Sequence, residues 1–499
     1  MRTRFAPSPT GFLHVGGLRT ALYAYLLAKQ SKDAFILRIE DTDQERSIPG
    51  AIENILHTLH WAGLHPDEGA IVRDGVMAQV GDRGPYIQSE RLPLYRKYAE
   101  ELVDIGAAYY AFDTKEELDQ MRDEMTRDGI AAPRYDASVR MRMKNSLTLK
   151  KEEVTIRLEK GEPYVIRMKV EPNQLITFED DIRGKLEFQG KTVDDQVLLK
   201  SDGFPTYHLA HVVDDHLMDI QIVIRGEEWL SSLPKHLLLF QYFGWKEPRY
   251  AHVPLLLNKD KSKLSKRQGD VAAEDYIKKG YLPEALLNFL ALLGWNPGTT
   301  QELFSLQDLI DGFSLDRVQK GGAIFDTEKL DWLQGQWIRR FPPAEFAAKI
   351  LPFVARKYPE ANEDKKFDQK AALIQERITF CKEAPEMLSY FYKEPKFDLD
   401  LVANKKQKVA KELLPEIIDD QINRLASIPN DEWNVNKIKL ILGFYDKTLN
   451  HLKLKRGQYL WPLRAILTGL PFSPGAFEVA AALGRETTLK RLEAARKAI

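Results

Sequence analysis

Apolar residues at Leu18, Ala21, Leu22, Tyr25 and Leu26 recur at helical spacing and give one buried face to a helix that begins after Gly17. Just upstream, residues 2–6 read as a short buried strand. Pro7 and Pro9 end it, because proline cannot donate to a sheet ladder. Residues 34–40 form a second strand, closed by the acidic turn Glu40-Asp41-Thr42-Asp43. Pro49 opens a second helix with Ile52, Ile55, Leu56 and Leu59 on its apolar face, and Gly63 stops it. Strand, helix, strand and helix over residues 1–90 predict an α/β fold with a Rossmann-like parallel sheet. Ligands of such sheets lie at the C-terminal strand ends.

The alternation pauses near residue 91. A helix over 92–105, a strongly charged helical stretch over 114–160, a strand over 164–170 and a turn at Gly184 describe an α/β insertion over 91–195. Alternation returns over 196–260. A strand at 197–200 leads into a turn-rich loop ending in Tyr207 and His208. A strand over 219–226 ends in Arg225-Gly226, Ser232 and Pro234 open a helix, and 250–257 is a further apolar strand. Residues 261–325 are mainly helical. From 326 to 499 nearly every segment has helical spacing, including 373–391, 409–425 and 438–453, which predicts an all-α C-terminal region.

A chain of 499 residues exceeds one core, so three or four structural units are expected. With 44% hydrophobic and 29% charged residues it has the composition of an ordinary globular protein. The formal net charge of −1 neither favours nor excludes a polyanionic partner, so any nucleic-acid surface must come from local basic clusters. Cys381 is the one cysteine, which excludes a disulfide within the chain and any Cys-pair zinc knuckle. Met-Arg-Thr-Arg runs straight into the first strand without a signal-peptide pattern, and no apolar run reaches membrane-spanning length. A cytoplasmic protein with no membrane partner is expected.

Two segments carry chemistry. Arg4-Phe-Ala-Pro-Ser-Pro-Thr-Gly-Phe-Leu-His14-Val-Gly16-Gly17 is a strand-to-helix turn, and free backbone N–H groups and the dipole at a helix N-terminus favour phosphate. Gly16 and Gly17 leave room for a ligand against the backbone, and the His14 imidazole is placed to donate to a phosphate oxygen. By itself the segment also reads as a tight turn. The second segment follows the 250–257 strand. Lys259, Lys261, Lys263, Lys266 and Arg267 lie in a loop with Ser265 and Gly269, which reads either as an anion site or as a solvated surface loop. The cluster His208, His211, Asp214, Asp215 and His216 has metal-ligand spacing, but reads better as a loop-to-helix segment with its hydrogen bonds satisfied. In the C-terminal region Lys405, Lys406, Lys408, Lys453, Lys455 and Arg456, with Tyr459 and Trp461 nearby, suit single-stranded RNA and equally an ordinary helix surface.

Together these segments resemble a family. His14-Val-Gly-Gly17 is similar to the HIGH signature of class I aminoacyl-tRNA synthetases, and Lys263-Leu-Ser-Lys-Arg267 to their KMSKS loop. Arg4-Phe-Ala-Pro-Ser-Pro-Thr-Gly, Arg38-Ile-Glu-Asp-Thr-Asp, Lys200-Ser-Asp-Gly-Phe-Pro-Thr-Tyr-His-Leu-Ala and Val223-Ile-Arg-Gly-Glu-Glu-Trp resemble the bacterial type of glutamyl-tRNA synthetase. The likeness continues through Leu330-Asp-Trp-Leu and Pro462-Leu-Arg-Ala-Ile-Leu-Thr-Gly469, so it covers essentially the whole chain.

The resemblance implies ATP-dependent ligation of L-glutamate to tRNA-Glu through glutamyl-adenylate, with ATP and Mg²⁺ required and tRNA present for the first step. It implies catalytic roles for His14, Lys263 and Lys266. ATP is expected at His14, Gly16, Gly17, Glu228, Leu256, Lys263, Ser265 and Lys266, and glutamate at Arg4, Ala6, Ser8, Glu40, Tyr207 and Arg225. In that scheme Arg4 and Arg225 grip the side-chain carboxylate and Glu40 pairs with the ammonium. Without the resemblance, Arg4 and Arg225 read equally as structural partners of Glu40 and Glu228. Contacts to tRNA are expected at Thr42, Asp43, Arg46, Arg377 and Arg464. No metal is expected on protein side chains, and no zinc.

The implied domains are a catalytic one over 1–90 and 196–260, a connective insertion over 91–195 that binds the acceptor end, a stem-contact helical domain over 261–325, and an anticodon-binding region over 326–499. A monomer is implied. Leu264 and Arg267 depart from the general second signature as this subfamily does, and Trp461 stands where the C-terminal motif more often has a smaller residue. The nearest rivals are a glutaminyl enzyme and one that also charges tRNA-Gln with glutamate. A small-metabolite nucleotidyltransferase is a different class, and would keep its activity without residues 331–499. A catalytically dead RNA-binding protein would lack ATP–pyrophosphate exchange.

Overall fold

The computed structural model describes residues 1–73, 75–264, 271–443 and 454–499. The chain divides into two compact units, Met1–Lys279 with Pro283–Thr327, and Gly280–Leu282 with Glu328–Ile499. In chain order the strands are β1 Thr3–Phe5, β2 Phe35–Leu37, β3 Glu68–Arg73, β4 Val76–Val80, β5 Ala108–Ala111, β6 Val165–Met168, β7 Leu175–Asp180, β8 Gly184–Gln189, β9 Val197–Leu199, β10 Ile222–Gly226, β11 Arg249–Val253, β12 Leu256–Leu257 and β13 Ala323–Ile324.

In the first unit the main sheet has the order β11-β10-β1-β2-β3-β4, parallel from β11 to β3 with β4 antiparallel at the edge. All three residues of β1 are buried, as a central strand covered on both faces requires. Helix α1, Val15–Gln30, covers it with Leu18, Ala21, Leu22, Tyr25 and Leu26 all buried, as their spacing predicts. The Thr3 hydroxyl donates to the Ala24 carbonyl at 2.9 Å and locks helix to strand. From β1 the chain builds outward through β2 to β3, while β10 and β11 lie on the other side. The order therefore reverses between β1 and β10, where an open α/β sheet leaves a crevice at its C-terminal edge.

In the insertion, β5 and β6 pair antiparallel and β7-β8 form a hairpin; β9, expected to open the second half of the main sheet, lies just past residue 195 and pairs with β6 instead. The insertion's charged stretch is two helices, Lys115–Arg127 and Lys151–Glu159, not one continuous helical region. Thr114 and Glu117 cap the first of them reciprocally. The expected 250–257 strand is also divided. Pro254 offers no N–H, so β11 stops at Val253, and β12 pairs instead with β13 in a separate two-stranded sheet.

The second unit is helical. Leu414, Ile418 and Leu425 of helix Leu414–Ala426 pack in one core with Leu463 and Leu467 of Arg456–Thr468 and Leu492 of Arg485–Ala498. The helical stretch expected over 373–391 breaks into short helices, Ala384–Met387 and Ser389–Tyr392. There the Thr379 N–H is taken by the Glu383 carboxylate, and Pro385 can only start a helix. Of the 438–453 expectation, Val435–Ile441 is helical, and residues 444–453 lie outside the described residues. No helix among the described residues is long and apolar enough to cross a membrane.

Candidate active site

A cleft of about 960 Å³ opens at the switch point of the main sheet. One end is built on the start of α1. His14 is its N-cap, and His14 Nδ1 accepts the Gly16 N–H at 2.9 Å. An accepting nitrogen carries no proton, so the ring proton is on Nε2. A Cβ at Gly16 would lie 3.2 Å from His14 Nδ1, which explains a glycine beside the capping ring. The Val15 N–H donates to the Val271 carbonyl at 2.8 Å, and Leu264 N–H to the Leu256 carbonyl at 2.9 Å, so both described flanks of residues 265–270 attach at this end. Lys263 is exposed and lines the cleft with Leu256 and Glu228. Gly226 lets the Glu228 carboxylate fold back, since a Cβ there would sit 2.1 Å from Oε2.

The other end is buried and charged. Arg38 is fully buried, donating to Glu40 Oε1 at 3.0 Å and to Asp215 Oδ1 at 2.8 Å. Burial opposes its charge, but Asp215, Glu40 and Asp214 outweigh that and raise its pKa. Burial raises the Glu40 carboxyl in turn, against the pull of Arg38 and Arg4. Arg4 donates from Nε to Asp215 Oδ1 at 3.2 Å, and its Nη2 meets His211 Nδ1 at 3.2 Å. Among the described residues, Arg225 is held without any carboxylate. Its Nε donates to His252 Nε2 at 3.0 Å, and its Nη1 to the Tyr207 hydroxyl at 3.2 Å and to His236 Nδ1 at 3.1 Å. Its remaining Nη2 reaches the Trp229 carbonyl at 3.3 Å. The alternative pairing of Arg4 with Glu40 and of Arg225 with Glu228 does not form, because Arg4's ion-pair partner is Asp215 and Arg225 has none among the described residues.

The histidines around these arginines are neutral. Burial pushes His208 down to about 3, and lowers His211 and His236 well below the usual imidazole range. Of the sequence cluster, His208, His211, Asp214 and Asp215 are engaged with arginines or with neighbouring histidines and His216 stacks on Trp245, although Asp215 Oδ2 is buried without a hydrogen-bond partner among the described residues, so the segment is not wholly satisfied. Asp214 accepts from Arg91, Gln88 and Tyr95, each at 2.8 Å.

The cleft brings together most of the residues singled out in the sequence. Arg4, Ala6, Ser8, His14, Gly16, Gly17, Glu40, Thr42, Asp43, Arg46, Tyr207, Arg225, Glu228, Leu256 and Lys263 all line it. Ser265 and Lys266 lie outside the described residues. Arg377 and Arg464 belong to the second unit. There the Arg464 guanidinium stacks 4.4 Å from the Trp461 ring, and burial and then the charge of Arg377 lower its pKa. Arg46 is exposed and paired with Asp43. Sequence reasoning missed Lys200 and Trp229, which also line the cleft, and the supporting Arg38, His236 and His252. The signal for the last two was their position, since both lie in the segments that flank β10.

The family described as tRNA synthetases class I (E and Q), catalytic domain, matches residues 1–332, and an anticodon binding domain matches residues 345–496. The chain is 45% identical to the glutamate–tRNA ligase of Chlorobaculum parvum over 99% of this chain and 97% of that one. It is 46% identical to that of Clostridium tetani, over 99% and 96%. A crystal structure of a glutamate tRNA ligase from Elizabethkingia meningosepticum in complex with its amino acid superposes with a TM-score of 0.88 at 38% identity, covering 100% of this chain and 99% of that one. The glutamate-tRNA synthetase of Elizabethkingia anophelis gives a TM-score of 0.85 at 37% identity, over 100% and 99%.

Proposed function

The chain belongs to the class I tRNA synthetases of the glutamate and glutamine branch, and from that premise we infer that it is a glutamate–tRNA ligase. It joins L-glutamate to tRNA-Glu at the expense of ATP, by way of glutamyl-adenylate. A glutamate α-carboxylate oxygen attacks the α-phosphorus, and the bond to the β-phosphate breaks to release pyrophosphate. The 2′-hydroxyl of the terminal adenosine then attacks the activated carbonyl, and AMP leaves.

In-line displacement at phosphorus needs little covalent help and much charge stabilisation. We assign that work to the His14 Nε2–H and the α1 N-terminus from one side, and to Lys263 and Lys266 from the other. Gly16, Gly17, Glu228, Leu256 and Ser265 complete the ATP site in this reading. Mg²⁺, where bound with ATP, would supply further charge neutralisation for the triphosphate beside the His14 and Lys263 groups. Among the described residues no group of three or more His, Cys, Asp or Glu is placed to hold a metal ion.

Arg225, supported by Arg4 and the Tyr207 hydroxyl, takes the glutamate side-chain carboxylate. Glu40, with Ala6 and Ser8, faces the ammonium end. Thr42, Asp43 and Arg46 belong to the acceptor end of tRNA, Arg377 and Arg464 to the anticodon. Residues 1–90 with 196–260 would be the catalytic domain, 91–195 the connective insertion, 261–325 the stem-contact domain and 326–499 the anticodon-binding region of a cytoplasmic monomer.

The observation that carries this reading is Arg225, a buried cation with no carboxylate partner among the described residues, lining the same cleft as a phosphate-type helix N-terminus. The deciding experiment offers glutamate and glutamine with purified tRNA-Glu and tRNA-Gln. Glutamylation of tRNA-Glu is expected. Glutamine transfer without glutamate transfer overturns the assignment, and glutamylation of both tRNAs marks a relaxed enzyme.

A further inference from the structure

The hydrogen bonds behind Arg225 can be followed outward to a residue far from it in sequence. Because His252 Nε2 accepts from the arginine, its proton is on Nδ1, and that N–H donates to Asp180 Oδ2 at 2.6 Å. Asp180 Oδ1 accepts three backbone N–H groups, from Ile182 at 3.0 Å, Arg183 at 2.8 Å and His252 at 3.3 Å. The carboxylate is thereby clamped at the end of β7, and both Asp180 and His252 are buried. On the opposite edge of the guanidinium, His236 Nδ1 accepts from Arg225, so His236 Nε2 carries the proton and donates to His208 Nδ1 at 3.1 Å.

A carboxylate beside Arg225 would orient the guanidinium equally well, but it would also cancel the charge that draws a substrate carboxylate. A neutral imidazole orients without cancelling. Burial, with Arg225's own charge behind it, keeps His252 below the usual imidazole range even though Asp180 pulls the other way. We propose that Asp180 and His252, with His236 on the far edge, are positioning residues that aim an unneutralised Arg225 at the side-chain carboxylate of glutamate, and so set the preference for glutamate over glutamine. The inference rests on the reading of Arg225 given under Proposed function.

Asp180→Asn is the discriminating variant. Three N–H donors hold Oδ1, so the new amide NH₂ takes the place of Oδ2 and donates to His252 Nδ1. The imidazole must then carry its proton on Nε2, which sets donor against donor at Arg225. In steady-state glutamylation of tRNA-Glu the KM for glutamate is expected to rise about tenfold or more, with kcat and the KM for ATP within about twofold. The ratio of kcat/KM for glutamate over glutamine should fall by a similar factor. His252→Gln, which keeps an uncharged oxygen acceptor, should retain glutamate KM within about threefold, while His252→Phe should behave as Asp180→Asn does.

Equal behaviour of the Gln and Phe variants overturns the proposal. So does a parallel loss in kcat, ATP KM and melting temperature, which would mark a structural role. Arg225→Gln separates the two levels. An unchanged glutamate KM there removes the assignment of Arg225 and this inference with it, whereas a large rise there beside an unaffected Asp180→Asn removes the positioning alone.

Discussion

The two ends of the cleft are built by opposite means. At the end proposed for the amino acid, Arg4, Arg38, Glu40, Asp215 and Arg225 are all buried charges; Arg4, Arg38, Asp215 and Arg225 are held by partners from distant segments, and Glu40 by Arg38 two residues away. At the end proposed for the nucleotide the groups are the backbone at the start of α1, its capping imidazole and the exposed Lys263. The difference matches the roles proposed for the two ends. A site that must tell a carboxylate from an amide needs a rigid, desolvated cation, because a buried charge gains most from its one correct partner. A site that must stabilise charge only as phosphorus reacts needs donors that meet the transition state, and these need not be buried beforehand.

The comparison can be broken most severely at Asp215. Asp215→Ala leaves Arg38 and Arg4 without their shared carboxylate, and should destabilise the fold by about 3–5 kcal/mol in urea unfolding. A change under about 1 kcal/mol would show that the buried end does not depend on its charges. In the second sequence segment, Lys266→Ala should lower ATP–pyrophosphate exchange about a hundredfold or more while glutamate binding, followed by calorimetry, is retained. Normal exchange in that variant removes the lysine from catalysis.

A pH titration sharpens the contrast. His208, His211 and His236 are depressed by burial, so the unfolded chain binds protons below about 6.5 that the folded chain refuses. Stability contributed by their neutral burial is complete above that pH and is lost as pH falls. Each group can contribute a slope of up to about 1.4 kcal/mol per pH unit below 6.5, and for His208 the loss continues down to about 3. Urea midpoints measured across pH should show this, and His236→Gln should flatten the slope. The smallest effect is expected from Tyr207→Phe, which removes one of two acceptors on Arg225 Nη1. It should raise glutamate KM about fivefold with ATP KM unchanged. A matching rise for ATP would mean that the two ends do not act independently.

Much of this architecture is legible one segment at a time. The face of α1, the stop at Pro7 and the return of strand–helix alternation after residue 196 follow from local periodicity and local backbone chemistry. The same local reasoning merged 250–257 into one strand and 373–391 into one helical stretch, because it weighs apolar spacing and cannot see which sheet a segment joins or which side chain captures a backbone N–H. The motif residues of the cleft were legible differently: the glycines, prolines and His14 near a helix start are compatible with a phosphate site or a tight turn, and only the resemblance across several linked segments singled out residues such as Glu40, Tyr207 and Arg225.

The amino-acid sequence by itself determined the α/β class, the helical C-terminal region, and most of the residues that face the cleft, though not Lys200 or Trp229. Only the tertiary structure decided that Arg4 would answer to Asp215 and that Arg225 would be held by neutral histidines, with Asp180 behind one of them. Helical and strand periods are set by neighbours a few residues away. The charge state and tautomer of an imidazole are set by burial and by partners that the chain brings in from dozens of residues away.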